Sequence, residues 1–211
     1  VVREIGQLHL VTDDGIAPSD IVSKVGFAVR AGVDVVQVRY PQLGARELSR
    51  IVRAIQRESA TSKTAVIVND RVDVAMALGA NGVHLGHRSL PIDVVRRITG
   101  PDMLIGVSVH SVEEAIEAAA SGADYLTFGH VYPTGSHPGE PGRETALLAE
   151  VVEAVDPLQV IAIGGITPKR VSEVLRSGAK GVAVMRSILN AANVAATTKA
   201  FIDAINHHHD R

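Results

Sequence analysis

Tyr125–Arg143 reads YLTFGHVYPTGSHPGEPGR. Its first half is a short apolar run with aromatic and β-branched residues, the composition of a buried strand. Its second half sets Pro133, Pro138 and Pro141 among Gly135, Gly139 and Gly142, so neither helix nor sheet continues there. At the junction, Gly129 lets the backbone bend and His130 places a titratable side chain at the strand's end. A connection this long inside a compact domain is usually functional or disordered, and this one is read as an active-site loop.

Outward from that stretch, short apolar runs alternate with helical patterns along the whole chain. The strand candidates are Leu8–Thr12, Val35–Arg39, Ala65–Asn69, Gly82–Leu85, Leu104–Ser108, Tyr125–Gly129, Val160–Gly164 and Gly181–Val184. Between them apolar residues recur near i, i+3, i+4, as in Gly44–Arg57; Ser111–Ser121 opens with Ser111 and Glu114 in capping-box order. Thr167-Pro168 reads as a cap with a first-turn proline. Four turns return to a strand through glycine: Ala31-Gly32-Val33-Asp34, Gly79-Ala80-Asn81-Gly82, Ser121-Gly122-Ala123-Asp124 and Ser177-Gly178-Ala179-Lys180-Gly181. Such a weak repeat of βα units, with eight strands in 211 residues, predicts one (β/α)8 TIM barrel over residues 1–211 rather than a doubly wound open sheet. The last few residues are expected to form a disordered tail, and His207–His209 are set aside from the site.

Composition narrows the function classes. There are no cysteines, which excludes disulfides, thiolate catalysis and Cys-ligated zinc. A formal net charge of -2 gives no basic field for nucleic acid. No apolar run is long enough to span a membrane and no signal-peptide layout is present, so a soluble, cytoplasmic protein is expected, with neither nucleic acid nor membrane as partner.

Barrel chemistry lies where strands run out into the following helices. There the sequence places Thr12-Asp13-Asp14, Gln37 to Arg39, Asn69-Asp70, His84 to His87, Ser108 to His110, His130 to His137, Gly164-Gly165 and Met185-Arg186-Ser187. Gly164-Gly165 and the Met185-Arg186-Ser187 turn follow the seventh and eighth strands, where backbone N–H groups bind phosphate in many such barrels. Arg39 is read either as a two-pronged clamp on a carboxylate or phosphate or as a rim ion pair. Asn69 is read as ligand-binding or capping, whereas capping alone accounts for Asp70. His9 and His84, inside strands, are read as packed or facing a helix. His87 and His110 stand in loops. His130 suits a general acid or base, with a packed loop histidine as the alternative. No metal-ligand spacing is present.

At these residues the chain resembles the thiamine phosphate synthase/TenI family of (β/α)8 barrels, through VTDDG, VQVR, ND, GVHLG, GVSVHS, GADYLTFGHV, IAIGGI and GVAVM. The resemblance implies one of two activities. The synthase branch joins a pyrimidine pyrophosphate to a thiazole phosphate using magnesium. Gln37, Arg39, Asp70 and Thr134 match its pattern, but Pro41 and His137 stand where it has lysines, Ser89 where it has a second magnesium aspartate, and Ser136 where it has a second threonine. Two missing cations and a missing metal ligand leave a pyrophosphate poorly neutralised. The TenI branch, resembled through FGHV, VHS and Gly142-Arg143, consists of thiazole tautomerases whose catalytic histidine is that of FGH.

The resulting expectation is a thiazole tautomerase, an isomerase in thiamin biosynthesis that aromatises a carboxythiazole phosphate. His130 would be its catalytic acid–base. Gln37, Arg39, Asn69, Ser108, Thr134, Gly164, Gly165, Met185, Arg186 and Ser187 would bind substrate, with no metal and no cofactor. The synthase and a non-catalytic phosphate-ligand binder are the alternatives. The expected partners are the small-molecule thiazole phosphate and a second copy of the chain in a homo-oligomer, a dimer.

Overall fold

The computed structural model of the chain describes residues 4–136 and 138–209. Eight parallel strands close in sequence order into a barrel: β1 Leu8–Val11, β2 Val35–Val38, β3 Ala65–Asn69, β4 Gly82–Leu85, β5 Leu104–Val109, β6 Tyr125–Gly129, β7 Gln159–Ile163 and β8 Gly181–Val184. The seam is β1 against β8, with His9 opposite Ala183 and Leu10 opposite Val184. The intervening helices are α1 Pro18–Ala31, α2 Ala45–Ser59, α3 Val72–Ala77, α4 Ile92–Thr99, α5 Val112–Ala120, α6 Glu144–Val155 and α7 Val171–Arg176, followed by α8 Arg186–Leu189 and α9 Val194–His209. The expected (β/α)8 barrel is therefore the fold, and the strand positions read from the sequence agree to within a residue at each end.

Strand alternation sorts the core into two layers. Val35, Ile67, Tyr125, Ile161 and Ala183 point inward and fill the barrel. Their neighbours Val36, Val66, Val68, Val160, Ala162 and Val182 point outward and pack under the helices. Helix α2 presents Leu48, Ile51, Val52 and Ile55 to that outer layer, the spacing of one helical face. At α5, the Ser111 hydroxyl accepts from the Glu114 N–H at 3.2 Å, as the capping pattern predicts. The Glu114 carboxylate instead reaches the His110 N–H at 2.7 Å, one residue further back than a capping box would place it.

The repeated helix-to-strand turns have a shared purpose. Gly32, Gly79, Gly122 and Gly178 all hold positive φ and turn the chain back towards the barrel. Two residues later, Asp34, Asn81 and Asp124 each grip the preceding strand twice. Asp34 N–H donates to Leu8 O at 3.1 Å while its carboxylate accepts from Leu8 N–H at 2.9 Å. Asn81 does the same to Val66, and Asp124 to Ile105. At the corresponding turn before β8, Lys180 N–H donates to Val160 O; lysine carries no acceptor for the second bond.

The terminal histidines are the last residues of α9, and the Asp210-Arg211 end of the expected tail lies outside the described residues. One expectation changes. Asp70 is not a side-chain cap for α3: the residue at the cap is Arg71, with no side-chain capping bond, and Asp70 itself sits at φ 64° in the tight turn after β3. His137 lies outside the described residues.

Asp124 also receives Arg96 at 2.6 Å, and the pair is mostly shielded from water. Asp124→Ala leaves the Ile105 N–H without its acceptor and takes the one carboxylate from Arg96, which keeps only the Gly100, Met103 and Gly122 carbonyls, so we expect a loss of about 2–4 kcal/mol. In thermal denaturation this is a fall in Tm of roughly 5–15 °C. Asp124→Asn keeps an acceptor for Ile105 N–H and should lose clearly less.

Candidate active site

The carboxyl ends of the strands enclose a cavity of about 480 Å³. Every residue expected to bind or act on substrate lines it: Gln37, Arg39, Asn69, Ser108, His130, Thr134, Gly164, Gly165, Met185, Arg186 and Ser187. Asp70 lies just outside that lining.

Two arginines stand on either side of the β1 end, each turned by an acidic residue of the β1–α1 loop. Arg186 Nε donates to Asp13 Oδ2 at 2.9 Å, and Arg39 approaches Asp14 at 3.8 Å. Burial pushes the Asp13 carboxyl up, but the Gly15 N–H and the Arg186 hydrogen bond and charge outweigh it and hold it below the usual carboxylate range. Arg186 remains about half exposed and so keeps donors for a ligand. Thr12 fixes the base of Arg39: its buried hydroxyl accepts from Arg39 N–H at 2.8 Å and donates to Arg39 O at 3.1 Å.

The β7 and β8 ends supply small turns. Gly164 and Gly165 hold φ 104° and 63°, and a Cβ on either would strike His130 or the Tyr132-Pro133 backbone. Glycine is therefore required there for both conformation and closeness. Ser187, expected to bind substrate, donates its hydroxyl hydrogen to Ile166 O at 2.8 Å and so ties the two turns together. The first N–H groups of α8 have no acceptor within the helix.

The loop after β6 forms the remaining wall. Arg143 folds it back, donating from N–H to His130 O and from Nε to Gly129 O, both at 2.9 Å. His130 is buried, and its Nε2 lies 3.1 Å from Pro141 O. A carbonyl only accepts, so Nε2 carries the hydrogen.

The floor is polar. Gln37 Nε2 donates to Asn69 Oδ1 at 2.8 Å. His84, expected to be packed or facing a helix, is buried against Tyr125 inside the barrel and lines the cavity. Its Nε2 lies 2.9 Å from Ser108 Oγ and its Nδ1 3.1 Å from the Tyr125 hydroxyl. Asp13 and His84, which the sequence places at strand ends without a substrate role, both line the cavity. Inward alternation from Val83 to His84 was the available signal for His84, whereas Asp13 meets Arg186 only because β1 closes on β8.

The magnesium implied by the family finds no ready centre here. Among the described residues no group of three or more His, Asp or Glu side chains is placed to hold a metal ion. Asp70 is the one carboxylate at a matching position, and the Ser89 hydroxyl accepts from Gly86 N–H at 2.8 Å. These residues do not fit a two-carboxylate site.

The fold and site define a (β/α)8 barrel with a polar, arginine-flanked mouth. The chain belongs to the thiamine monophosphate synthase family, whose sequence profile matches residues 8–188. It is similar to the thiamine-phosphate synthase of Methanoculleus marisnigri, 41% identical over 94% of each protein. That of Pyrococcus abyssi is 38% identical over 93% of each. A solved thiamine phosphate pyrophosphorylase from Pyrococcus furiosus superposes with a TM-score of 0.87 at 35% identity over 96% of each chain. These relatives overturn the tautomerase expectation: they are synthases, hence transferases rather than isomerases, and the acid–base role given to His130 through the tautomerase branch falls with it.

His9 and His84 are both buried and unprotonated at neutral pH. Burial pulls His9 down to about 4, and burial with the neighbouring His9 pulls His84 down to about 3. Folding then excludes protons that the unfolded chain binds below about pH 6.5. Their contribution to stability is complete above that pH and declines as pH falls towards 4, by up to about 1.4 kcal/mol per pH unit for each group. Urea unfolding at pH 5 should give a stability about 2–4 kcal/mol below that at pH 7.5, and His9→Gln should flatten the slope.

Proposed function

We propose that this chain is a thiamine-phosphate synthase, joining a pyrimidine pyrophosphate to a thiazole phosphate with release of pyrophosphate. The observation that carries the reading is near-full-length similarity to synthases, up to 41% identity among those compared, on the same barrel. In the proposed reaction the pyrophosphate leaves with the bonding electron pair while the thiazole nitrogen supplies the new bond to carbon. Arg39 and Arg186 then face charge that grows on the departing group, in a cavity where charge-assisted hydrogen bonds are strong. The Gly164-Gly165 turn and the first turn of α8 supply N–H groups for phosphate. Gln37, Asn69 and Ser108 give the floor an ordered set of donors and acceptors for a heterocycle. Substrate placement accounts for much of the catalysis in this scheme.

A second reading, a phosphate-ligand binder without turnover, is favoured by Pro41 and Ser89, which leave two charged positions of the synthase pattern empty. One experiment separates the two. Purified protein is given both substrates with magnesium, and thiamine phosphate is followed by chromatography. Product at a rate proportional to enzyme supports the synthase, and Arg186→Ala should lower kcat/KM by about 10–100-fold, the worth of a charge-assisted contact. Binding of both substrates without product would leave the binder, and the absence of binding would remove both.

A further inference from the structure

Three inward-facing residues climb from the barrel centre to the mouth. Tyr125 opens β6, His84 lies on β4, and Ser108 lies on β5 between them. In the register Gly106 is opposite both His84 and Tyr125. The Tyr125 ring passes over that glycine to reach His84, and any Cβ at position 106 would collide with the ring carbon and hydroxyl. The absent side chain at Gly106 is what lets two residues on non-adjacent strands meet.

The hydrogen directions follow from elimination. The Tyr125 side chain is fully buried, and among the described residues the one hydrogen-bond partner of its hydroxyl is His84 Nδ1. His9 packs its ring edge against Tyr125 from the other side, with centroids 5.8 Å apart, and makes no hydrogen bond to it. A buried hydroxyl hydrogen left unpaired is costly, so Tyr125 donates and Nδ1 accepts. A neutral imidazole that accepts at Nδ1 carries its hydrogen at Nε2. Burial keeps His84 neutral. Nε2 therefore donates to Ser108 Oγ, which occupies one lone pair of the serine and leaves its hydrogen to point elsewhere. Among the described residues nothing accepts that hydrogen, and Ser108 lines the cavity.

We propose that Tyr125 and His84 are positioning residues that lock Ser108 as a hydrogen-bond donor into the mouth, so that the ligand must present an unprotonated acceptor there. Without the Tyr125 hydroxyl, either tautomer of His84 leaves one ring position unpaired. The preference is then lost, and in the reversed tautomer Ser108 spends its hydrogen on Nε2. This selection of ligand polarity rests on the synthase reading only for the identity of the ligand used to test it.

The test has two arms. In the first, nitrogen-15-labelled histidine in the ligand-free wild-type protein is examined by long-range proton–nitrogen correlation at pH 7. His84 should show a protonated Nε2 and a bare Nδ1, and Tyr125→Phe should move both nitrogens towards averaged values. A protonated Nδ1 in the wild type, or a tautomer unmoved by Tyr125→Phe, overturns the proposal whatever the protein's activity. In the second, the dissociation constant for the pyrimidine pyrophosphate is measured by calorimetry. Ser108→Ala should weaken binding by about 3–10-fold and Tyr125→Phe by about 2–10-fold. The double variant should bind no more weakly than Ser108→Ala alone; losses that multiply overturn the proposal. Should the wild-type protein not bind this probe, the synthase reading fails while the first arm still decides the relay.

Discussion

Closing eight parallel strands into a ring requires every strand to hold its register at both ends, and the helix-to-strand turns do this at the lower rim. Asp34, Asn81 and Asp124 each give an N–H to, and take an N–H from, one residue of the preceding strand. This two-point grip couples β1 to β2, β3 to β4 and β5 to β6, the pairs that would otherwise rely on short ladders of slanted hydrogen bonds. Gly6 shows how tight the arrangement is, since a Cβ there would run into the Asp34 side chain. A slip of one residue would exchange the two layers, driving Ile67 and Tyr125 against the helices and burying polar mouth residues there with them.

The rigidity of that rim is what makes the opposite rim usable. The mouth gathers charge that would be unfavourable if it were unbalanced or mobile. Asp13 holds Arg186 and Asp14 stands beside Arg39, so each guanidinium is aimed yet keeps open donors. The β6–α6 loop, despite its prolines and glycines, is anchored where Arg143 binds the Gly129 and His130 carbonyls. Its wall against Gly164 is the Cβ and Cα of His130 with the Val131 nitrogen, which leaves no room for a side chain at that turn.

The site also divides into a charged rim and a neutral floor. Gln37 with Asn69, and His84 with Ser108 and Tyr125, form two hydrogen-bonded sets of uncharged groups, in surroundings buried enough to keep His84 unprotonated. Such networks are ordered because each member's partner limits its orientation. A ligand with one charged and one heterocyclic part fits this division.

Much of this was legible in the residues themselves. The alternation of β-branched runs with helical spacing, punctuated by Gly32, Gly79, Gly122 and Gly178, determined the barrel, because strand and helix periods are local properties of the chain. Positions at strand ends determined which residues reach the mouth, and the eleven expected to bind or act on substrate line it, while Asp70 and His87 do not. Choosing between branches of one family from FGHV and Pro41 failed, since few residues distinguish them and overall similarity points to the synthases. Tertiary structure alone decided the pairing of Asp13 with Arg186, 173 positions apart, because it depends on β1 closing against β8. It alone placed Tyr125 on His84 across Gly106, since which strands are neighbours and which side chain has room to cross between them are properties of the closed ring and not of any stretch of sequence.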